Sequence, residues 1–252
     1  MIKTIWFDIG GTIHTQEATH ENDMAYVEKL TELLQSFGIS ELPDAQLLIK
    51  SLDAGAKRYK KYSEETLTEL PGDEIWIDYM FSDYPHWHQR LIGHGEALSY
   101  LFDRYRKVIT PRPHVRETLI ALKADGYRLG VISNIMSHTF VPSILDEYGI
   151  RTFFDELILS SECGIRKADP RIFEIALERV GGKPEEACYI GDTVSRDVLG
   201  TRNAGWALMI QIDNPLTYRK DTAYLDKGFK PDYKIHDFNE IQSALTDYMR
   251  RE

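Results

Sequence analysis

Two carboxylates in distant parts of the chain have the right chemistry to share a hard cation. Asp8 precedes a glycine-rich turn that contains Gly10, and Asp192 lies much further along the sequence. Mg²⁺ prefers about six oxygen ligands in near-octahedral geometry and usually keeps several waters. Because the backbone carbonyl of a tight turn can be a third protein ligand, the sequence predicts a magnesium site at Asp8, Gly10 and Asp192.

Other residues are suited to holding a phosphate beside that metal. Lys167 would add positive charge, and hydroxyl and amide groups could donate hydrogen bonds to phosphate oxygens. Positioning and charge neutralisation are most of what phosphoryl transfer needs. Asp8 could then act as a nucleophile and form an aspartyl-phosphate that water hydrolyses. The predicted substrate-binding residues are Gly11, Thr12, Ser133, Asn134 and Lys167, and the predicted catalytic residues are Asp8 and Lys167.

Predicted strands must bring these residues together. Apolar, β-prone runs separated by helical patterns indicate a parallel sheet that helices cover on both faces. In such a sheet ligands bind beyond the carboxyl ends of the strands, and the segments that carry the candidate site residues begin at these ends. The fold class is therefore α/β, a Rossmann-like, doubly wound parallel core. The predicted strands are residues 2–7, 128–133, 156–160, 187–190, 207–211 and 233–235.

The segment between the first strand and the rest of the sheet has a different pattern. Apolar residues recur at helical spacing in four stretches, and no strand is expected between residues 14 and 110. We therefore predict a catalytic core of residues 1–13 and 111–252 that is interrupted by a helical cap of residues 14–110. Closure of such a cap would exclude water and select the substrate.

The overall composition narrows the choice of partners and compartment. The 252 residues carry a net charge of −10, which repels polyanions, so no nucleic acid partner is expected. Two cysteines are too few for a disulfide framework and indicate reduced thiols in the cytoplasm. We find no signal peptide and no long apolar run, so no membrane partner is expected. The sequence does not indicate an oligomeric state.

The order and spacing of these motifs resemble the haloacid dehalogenase-like superfamily of hydrolases. The resemblance covers residues 1–13 and about 110–235, and the insertion looks like that superfamily's helical cap of the first type. It implies a Mg²⁺-dependent hydrolase of a small phosphorylated metabolite that works through a phosphorylated aspartate. The implied roles are Asp8 as nucleophile, Asp8, the Gly10 carbonyl and Asp192 as metal ligands, Ser133 and Lys167 as phosphate contacts, and Asp197 as a support behind the metal ligands.

One position departs from the family pattern. Phosphatases of this superfamily usually have a second aspartate two residues after the nucleophile, which protonates the leaving group, and here that position is Gly10. A positioned acid–base group contributes roughly 10²–10⁴-fold to a rate. Ala168 also replaces a frequent proline, which should cost little. His14 has a suitable pKa in principle, but an isolated loop histidine is expected to be ordinary surface.

Three functions remain open from the sequence. The first is a slow or specialised phosphatase for leaving groups that need no proton, such as aryl or acyl phosphates. The second is a relative of the dehalogenases or phosphonatases; a phosphonatase would need a Schiff-base lysine in the cap, where Lys57, Lys60 and Lys61 are available. The third is a metal- or ligand-binding protein with a degenerate site. We favour the first of these.

Overall fold

The computed structural model describes residues 1–251 and contains eight strands in that range. Six of them form one sheet and the other two form a separate ribbon. In chain order the strands are β1 (Thr4–Phe7), β2 (His14–Glu17), β3 (Val108–Pro111), β4 (Arg128–Ser133), β5 (Glu156–Leu159), β6 (Ala187–Gly191), β7 (Leu208–Ile212) and β8 (Tyr233–Ile235).

Helices connect these strands and fill the long segment between β2 and β3. Two π-helical segments, Ile75–Met80 and Val194–Val198, interrupt the α-helical pattern. The α-helices are α1 (His20–Ser36), α2 (Ala45–Thr66), α3 (Gly72–Glu74), α4 (His88–Leu91), α5 (Gly95–Tyr105), α6 (Val115–Ala124), α7 (Phe140–Glu147), α8 (Ser160–Cys163), α9 (Pro170–Val180), α10 (Leu199–Asn203), α11 (Tyr218–Leu225) and α12 (Ile241–Arg251). Within residues 1–251 no helix is long and apolar enough to cross a membrane.

The larger sheet is parallel throughout and has the strand order β5-β4-β1-β6-β7-β8. If only its six strands are numbered, this order is 3-2-1-4-5-6, that of the Rossmann fold. All four residues of β1 are buried, as expected for a central strand covered on both faces. The strand order reverses beside β1, so the carboxyl ends of β1, β4 and β6 lie at the switch point where such folds bind ligands.

Alternate side chains of β1 enter two hydrophobic clusters on opposite faces of the sheet. Phe7 stacks on Phe238 with ring centroids 6.0 Å apart on one face. Trp6 packs against Trp206 on the other face, with centroids 6.2 Å apart. This alternation follows from the two-residue period of a strand. The predicted doubly wound α/β core is confirmed.

The helices between β2 and β3 have a hydrophobic cluster of their own. Its members are separate from both clusters of the sheet, and they include the largest side chains of this segment. The indole nitrogen of Trp76 donates to Ser99 Oγ at 2.9 Å, so this buried polar atom is satisfied. Fully buried members include Leu30, Leu34, Leu48, Leu52, Trp76, Phe81 and Leu98. We call residues 20–105 the helical region.

The prediction that no strand lies between residues 14 and 110 is wrong. β2 and β3 pair antiparallel, with His14 opposite Pro111 and Glu17 opposite Val108. Both strands have only four residues, and β2 reads His-Thr-Gln-Glu, without the alternation that marks a strand in a sequence. Pairing between segments this far apart in the chain, rather than local pattern, makes them strands. Both chain connections to the helical region pass through this ribbon.

A second attachment joins the helical region to the core. The amide of Glu69 donates to the carbonyl of Gly164 at 3.0 Å, and the amide of Arg166 donates to the carbonyl of Leu67 at 2.9 Å. The carboxylate of Glu69 is buried and accepts hydrogen bonds from Ser160 Oγ, Tyr59 and Arg166. A buried carboxylate is stable only with such partners. We call this set of contacts the Glu69 junction.

Candidate active site

Two strand ends bring three buried carboxylates into one cluster. Asp8 follows β1, and Asp192 follows the adjacent strand β6, while Asp197 lies in the π-helical segment after it. One oxygen from each of the three carboxylates lies within 4.8 Å of the others, and each residue is at most 5% exposed. Three carboxylates this close in a buried place repel one another unless positive charge is present.

Lys167 supplies part of that positive charge. Its Nζ is 2.9 Å from Asp8 Oδ1 and 2.8 Å from Asp197 Oδ1, and it donates to the hydroxyl of Tyr189 at 2.6 Å. The side chain is only 1% exposed, so these three contacts replace its hydration. Lys167 therefore fixes one oxygen of Asp8 and leaves the other free of that contact.

Asn134 holds Lys167 in place. Its Nδ2 donates to the carbonyl of Lys167 at 2.9 Å, and its Oδ1 accepts the amide of Lys167 at 2.8 Å. The peptide bond between Lys167 and Ala168 is cis. Both polar atoms of the Asn134 amide are engaged in this way, so the side chain acts on the site by positioning the lysine.

Asp197 is held as an ionised partner of the lysine. Its Oδ2 accepts the amide of Thr193 at 2.9 Å and the Thr193 hydroxyl at 2.6 Å. Burial alone would raise its pKa, but the charges of Lys167 and Arg196 lower it below the ordinary value. A π-helical turn of this kind often occurs at functional sites, and here it directs Asp197 towards Lys167.

Asp192 has the properties of a cation ligand. Burial, followed by the charges of Asp197 and Asp8, raises its pKa to about 7. Burial likewise raises the pKa of Asp8, although Lys167 opposes the shift. One Asp192 oxygen accepts Asn214 Nδ2 at 2.6 Å, while the other is buried without a hydrogen-bond partner in residues 1–251. A hard divalent cation would satisfy that oxygen and relieve the repulsion, so the donor set fits Mg²⁺.

Gly11 makes the close approach of Asp192 possible. Its φ is +86°, and a Cβ at this position would lie 2.1 Å from Asp192 Oδ2 and 2.7 Å from Asn214 Nδ2. The carbonyl of Gly11 accepts hydrogen bonds from Arg112 Nη2 at 2.8 Å and Nε at 3.1 Å. Only glycine combines this backbone conformation with the space that Asp192 occupies.

A small cavity of about 110 Å³ opens beside Asp8. Of the residues predicted from the sequence, five line it together: Asp8, Gly10, Ser133, Asn134 and Lys167. The other predicted site residues, Gly11, Thr12, Asp192 and Asp197, do not line it. Thr12 is fully buried, and its hydroxyl has no hydrogen-bond partner within residues 1–251.

His14 is not the surface residue that the sequence suggested. It is fully buried and packs edge-on against the rings of Phe140 and Tyr148. Burial, followed by the charges of Arg104 and Lys107, lowers its pKa to about 4. The imidazole is therefore neutral near pH 7 and cannot serve as the missing acid.

Two polar wall residues of the small cavity, Gln16 and Arg196, were not predicted. A Cβ on Gly10 would lie 2.9 Å from Gln16 Nε2, so the Gln16 side chain occupies the space where an aspartate at position 10 would project. Arg196 also lines the cavity, and the carboxylates of Asp197, Asp192 and Asp8 raise its pKa against the effect of burial. Gln16 gave no sequence signal, whereas Arg196 could have been noticed beside Asp197.

A larger cavity of about 350 Å³ adjoins the small one. The two cavities share wall residues from the sheet edge and from β2, including Gln16, Asn134 and Arg196. The opposite wall belongs to the helical region and the segment that follows it. That wall includes Tyr59, Lys60, Ser63, Glu64, Phe102, Asp103 and Lys107.

Comparison with known proteins identifies the family. The model of the haloacid dehalogenase-like hydrolases matches residues 2–205, and the chain belongs to this family. It is 36% identical over 138 residues to a glyceraldehyde 3-phosphate phosphatase of Methanothermobacter thermautotrophicus, covering 55% of this chain and 60% of that protein. It is also 32% identical over 139 residues to the pyrophosphatase PpaX of Oceanobacillus iheyensis, covering 55% of this chain and 62% of that protein. The chain thus spans less than two thirds of these relatives.

Solved structures agree on the fold. A 2-haloacid dehalogenase from Pseudomonas syringae superposes with a TM-score of 0.65 at 21% identity, over 98% of this chain and 100% of that one. At this identity the likeness concerns the fold alone. The resemblance stated from the sequence motifs is confirmed.

Proposed function

We propose that this protein is a Mg²⁺-dependent phosphohydrolase that acts on a small phosphorylated metabolite through a phosphorylated Asp8. The observation that carries the proposal is the buried cluster of Asp8, Asp192 and Asp197, in which Lys167 pairs with Asp8 and Asp197. The phosphatase and pyrophosphatase names of the relatives support the same class of substrate.

Asp8, the carbonyl of Gly10 and Asp192 would hold the metal ion. When bound, Mg²⁺ would neutralise phosphate charge and act as a Lewis acid at a phosphoryl oxygen. Asp197 is already engaged with Thr193 and Lys167, so its part is to keep that lysine in position.

Side chains of the protein bind the phosphoryl group and supply the nucleophile. Lys167 and the Ser133 hydroxyl hold the phosphoryl group at the sheet edge, and Asp8 attacks phosphorus with a carboxylate oxygen. The resulting aspartyl-phosphate is an acyl phosphate, which water hydrolyses to regenerate the carboxylate. Burial of the cluster keeps bulk water away and strengthens each charge interaction.

None of the three residues Gly10, His14 and Gln16 in the wall of the small cavity replaces the missing acid. Gly10 has no side chain, His14 is neutral, and the Gln16 amide has no acidic proton to give. We therefore expect slow turnover of alkyl phosphates and faster turnover of substrates whose leaving group departs as an anion.

The first test is hydrolysis of para-nitrophenyl phosphate and acetyl phosphate with and without Mg²⁺. The Asp8→Asn variant should lose all Mg²⁺-dependent turnover, whereas Asp83→Asn, at an exposed carboxylate, should keep it. Turnover that survives in Asp8→Asn would refute the nucleophile assignment. If the wild type binds Mg²⁺ but turns over neither substrate, the protein is instead a metal- or ligand-binding member of the family.

A second candidate function is hydrolysis of a carbon–phosphorus bond, for which a cap lysine must form a Schiff base. Lys60 favours it because this lysine lines the larger cavity beside the catalytic one, whereas Lys57 and Lys61 do not line it. Borohydride reduction with phosphonoacetaldehyde would attach the substrate to Lys60 if this function is correct. No mass increase on Lys60 would exclude it.

A further inference from the structure

The larger cavity holds a surplus of positive charge. Lys60, Lys107 and Arg196 line it, and none of the three forms an ion pair with a carboxylate of residues 1–251. Arg166 also lines the cavity, but it is paired with Glu69 in the Glu69 junction. The carboxylates of the active site already act on Arg196, so the cations most available in the larger cavity are Lys60 and Lys107. In a chain whose net charge is −10, they create a local field that favours an anion.

The acidic groups in the same wall do not cancel this charge. Glu64 is paired with Lys220 at 2.5 Å. Asp103 accepts the amide of Ser137 at 2.9 Å, and burial raises its pKa to about 8, so it is largely neutral at pH 7. The pKa of Lys107 is lowered, by burial first and then by Lys60 and Arg196, which indicates that the three cations act on one another.

These cations lie beside the cavity that lacks a proton donor at position 10. Arg196 and Gln16 belong to both cavities, so a group leaving the phosphorus atom at Asp8 would enter the larger one. Lys107 Nζ donates to Gln16 Oε1 at 3.1 Å, which holds a cation near the space in front of Gly10. Fixed cations can stabilise charge that develops on a leaving oxygen, which is the task that a proton donor would otherwise perform.

We propose that the larger cavity is a subsite for an anionic leaving group, and that the substrate is therefore a phosphoanhydride in which phosphate is that group. This proposal rests on the proposed phosphohydrolase function and names its substrate class. The volume of about 350 Å³ also leaves room beside Tyr59 and Phe102 for an organic substituent on the leaving phosphate.

The reaction balances without an acid. A carboxylate oxygen of Asp8 forms a bond to phosphorus, the bridging P–O bond breaks, and its electron pair stays on the departing phosphate oxygen. Lys60, Lys107 and Arg196 bind that anion. Water then attacks the aspartyl-phosphate, the bond between phosphorus and Asp8 breaks, and both protons of the water leave on the released dihydrogen phosphate while Asp8 returns to a carboxylate.

The test compares pyrophosphate with para-nitrophenyl phosphate as substrates of Mg²⁺-loaded protein. In Lys60→Gln and Lys107→Gln the ratio of kcat/KM for pyrophosphate to that for the aryl phosphate should fall about tenfold, because a charged hydrogen bond to the leaving group is lost. Lys61→Gln is the matched control, since Lys61 lies on the same helix as Lys60 but outside the cavity. A ratio that is the same in all three variants would overturn the proposal.

A binding measurement separates this proposal from the function on which it rests. In the Asp8→Asn background, calorimetry should show that methylenediphosphonate binds more tightly than methylphosphonate, and that Lys60→Gln or Lys107→Gln removes the difference. Equal binding of the two ligands would overturn the subsite even if aryl phosphate is hydrolysed. Preferential binding without any turnover would support the subsite and refute the phosphohydrolase instead.

Discussion

The sheet edge and the helical region supply positive charge to the same pair of cavities in different ways. At the sheet edge, Lys167 is buried and contacts Asp8, Asp197 and Tyr189. Across the cavities, Lys60 and Lys107 remain accessible to solvent, although their surroundings partly desolvate Lys107, and neither has an ionic partner in residues 1–251. In the proposed reaction, the positive charge at the reacting phosphorus is therefore held in place by the protein, whereas the positive charge that would bind the leaving group stays available to the substrate.

The sheet edge should respond most strongly to loss of its buried cation. Lys167→Met leaves Asp8 and Asp197 without their partner, so we expect loss of turnover and a decrease of about 3–5 kcal/mol in the free energy of unfolding. Lys123→Met breaks an exposed pair with Asp155 and should cost about 1 kcal/mol or less. Urea denaturation measures both. Similar values for the two variants would mean that Lys167 is not the electrostatic centre of the site.

The next largest effect is expected at Gly11. Gly11→Ala would place a methyl group on Asp192, so Mg²⁺-dependent turnover should fall about 10²-fold, as small misplacements of catalytic groups do. Gly126→Ala is a matched control, because Gly126 has a φ of +88° and open space around it. Both variants carry the backbone strain, so a loss of turnover in both would attribute it to strain and not to Asp192.

Gly10→Asp tests whether the missing acid limits turnover, at the point where the sheet edge meets Gln16. The new carboxyl group would displace the flexible end of Gln16 and restore a proton donor, so hydrolysis of glycerol 3-phosphate should rise about 10²-fold. Rates on para-nitrophenyl phosphate should change much less. Gly10→Asn has a similar shape but no acidic proton, so an equal gain in that variant would show that shape is responsible.

The smallest effect is a pH dependence in the helical region. The pKa of Asp103 is raised by burial to about 8, so its contribution to stability is present at low pH and is lost as the pH rises towards 8. The lowered pKa of His14 contributes stability that is fully present above about pH 6.5. This contribution decreases only at lower pH, where the histidine of the unfolded chain gains a proton.

We therefore expect the melting temperature of the wild type to fall more than that of Asp103→Asn between pH 6.5 and 9. The difference between the two falls should be at least about 2 °C. Asp146→Asn, at an exposed carboxylate, is the control and should follow the wild type. Parallel curves for Asp103→Asn and the wild type would show that Asp103 is ionised throughout this range.

The sequence predicted the sheet and the sheet-edge residues because both depend on local patterns. The strand of residues 128–133 was predicted with the bounds that the structure has. The ribbon was missed because β2 and β3 exist only through pairing between distant segments. Gln16 was missed as a wall residue for the same reason, whereas Arg196 could have been noticed beside Asp197. Lys60 was named only as one of three candidate lysines, because which of them lines the cavity depends on how the helical region lies on the core. Helix α11, with a largely polar sequence, was also missed.

The Glu69 junction has a consequence for how substrate reaches the cavities. The ribbon alone would let the helical region swing freely, but the junction fastens it to the core immediately before Lys167 in the sequence. Movement away from the core would break the bonds of the buried Glu69 carboxylate to Ser160 and Arg166 together, while its bond to Tyr59 stays within the helical region. We therefore expect the Glu69 junction to open in a single cooperative step. For the best substrates, the rate of this opening, more than the chemistry at phosphorus, would then limit turnover.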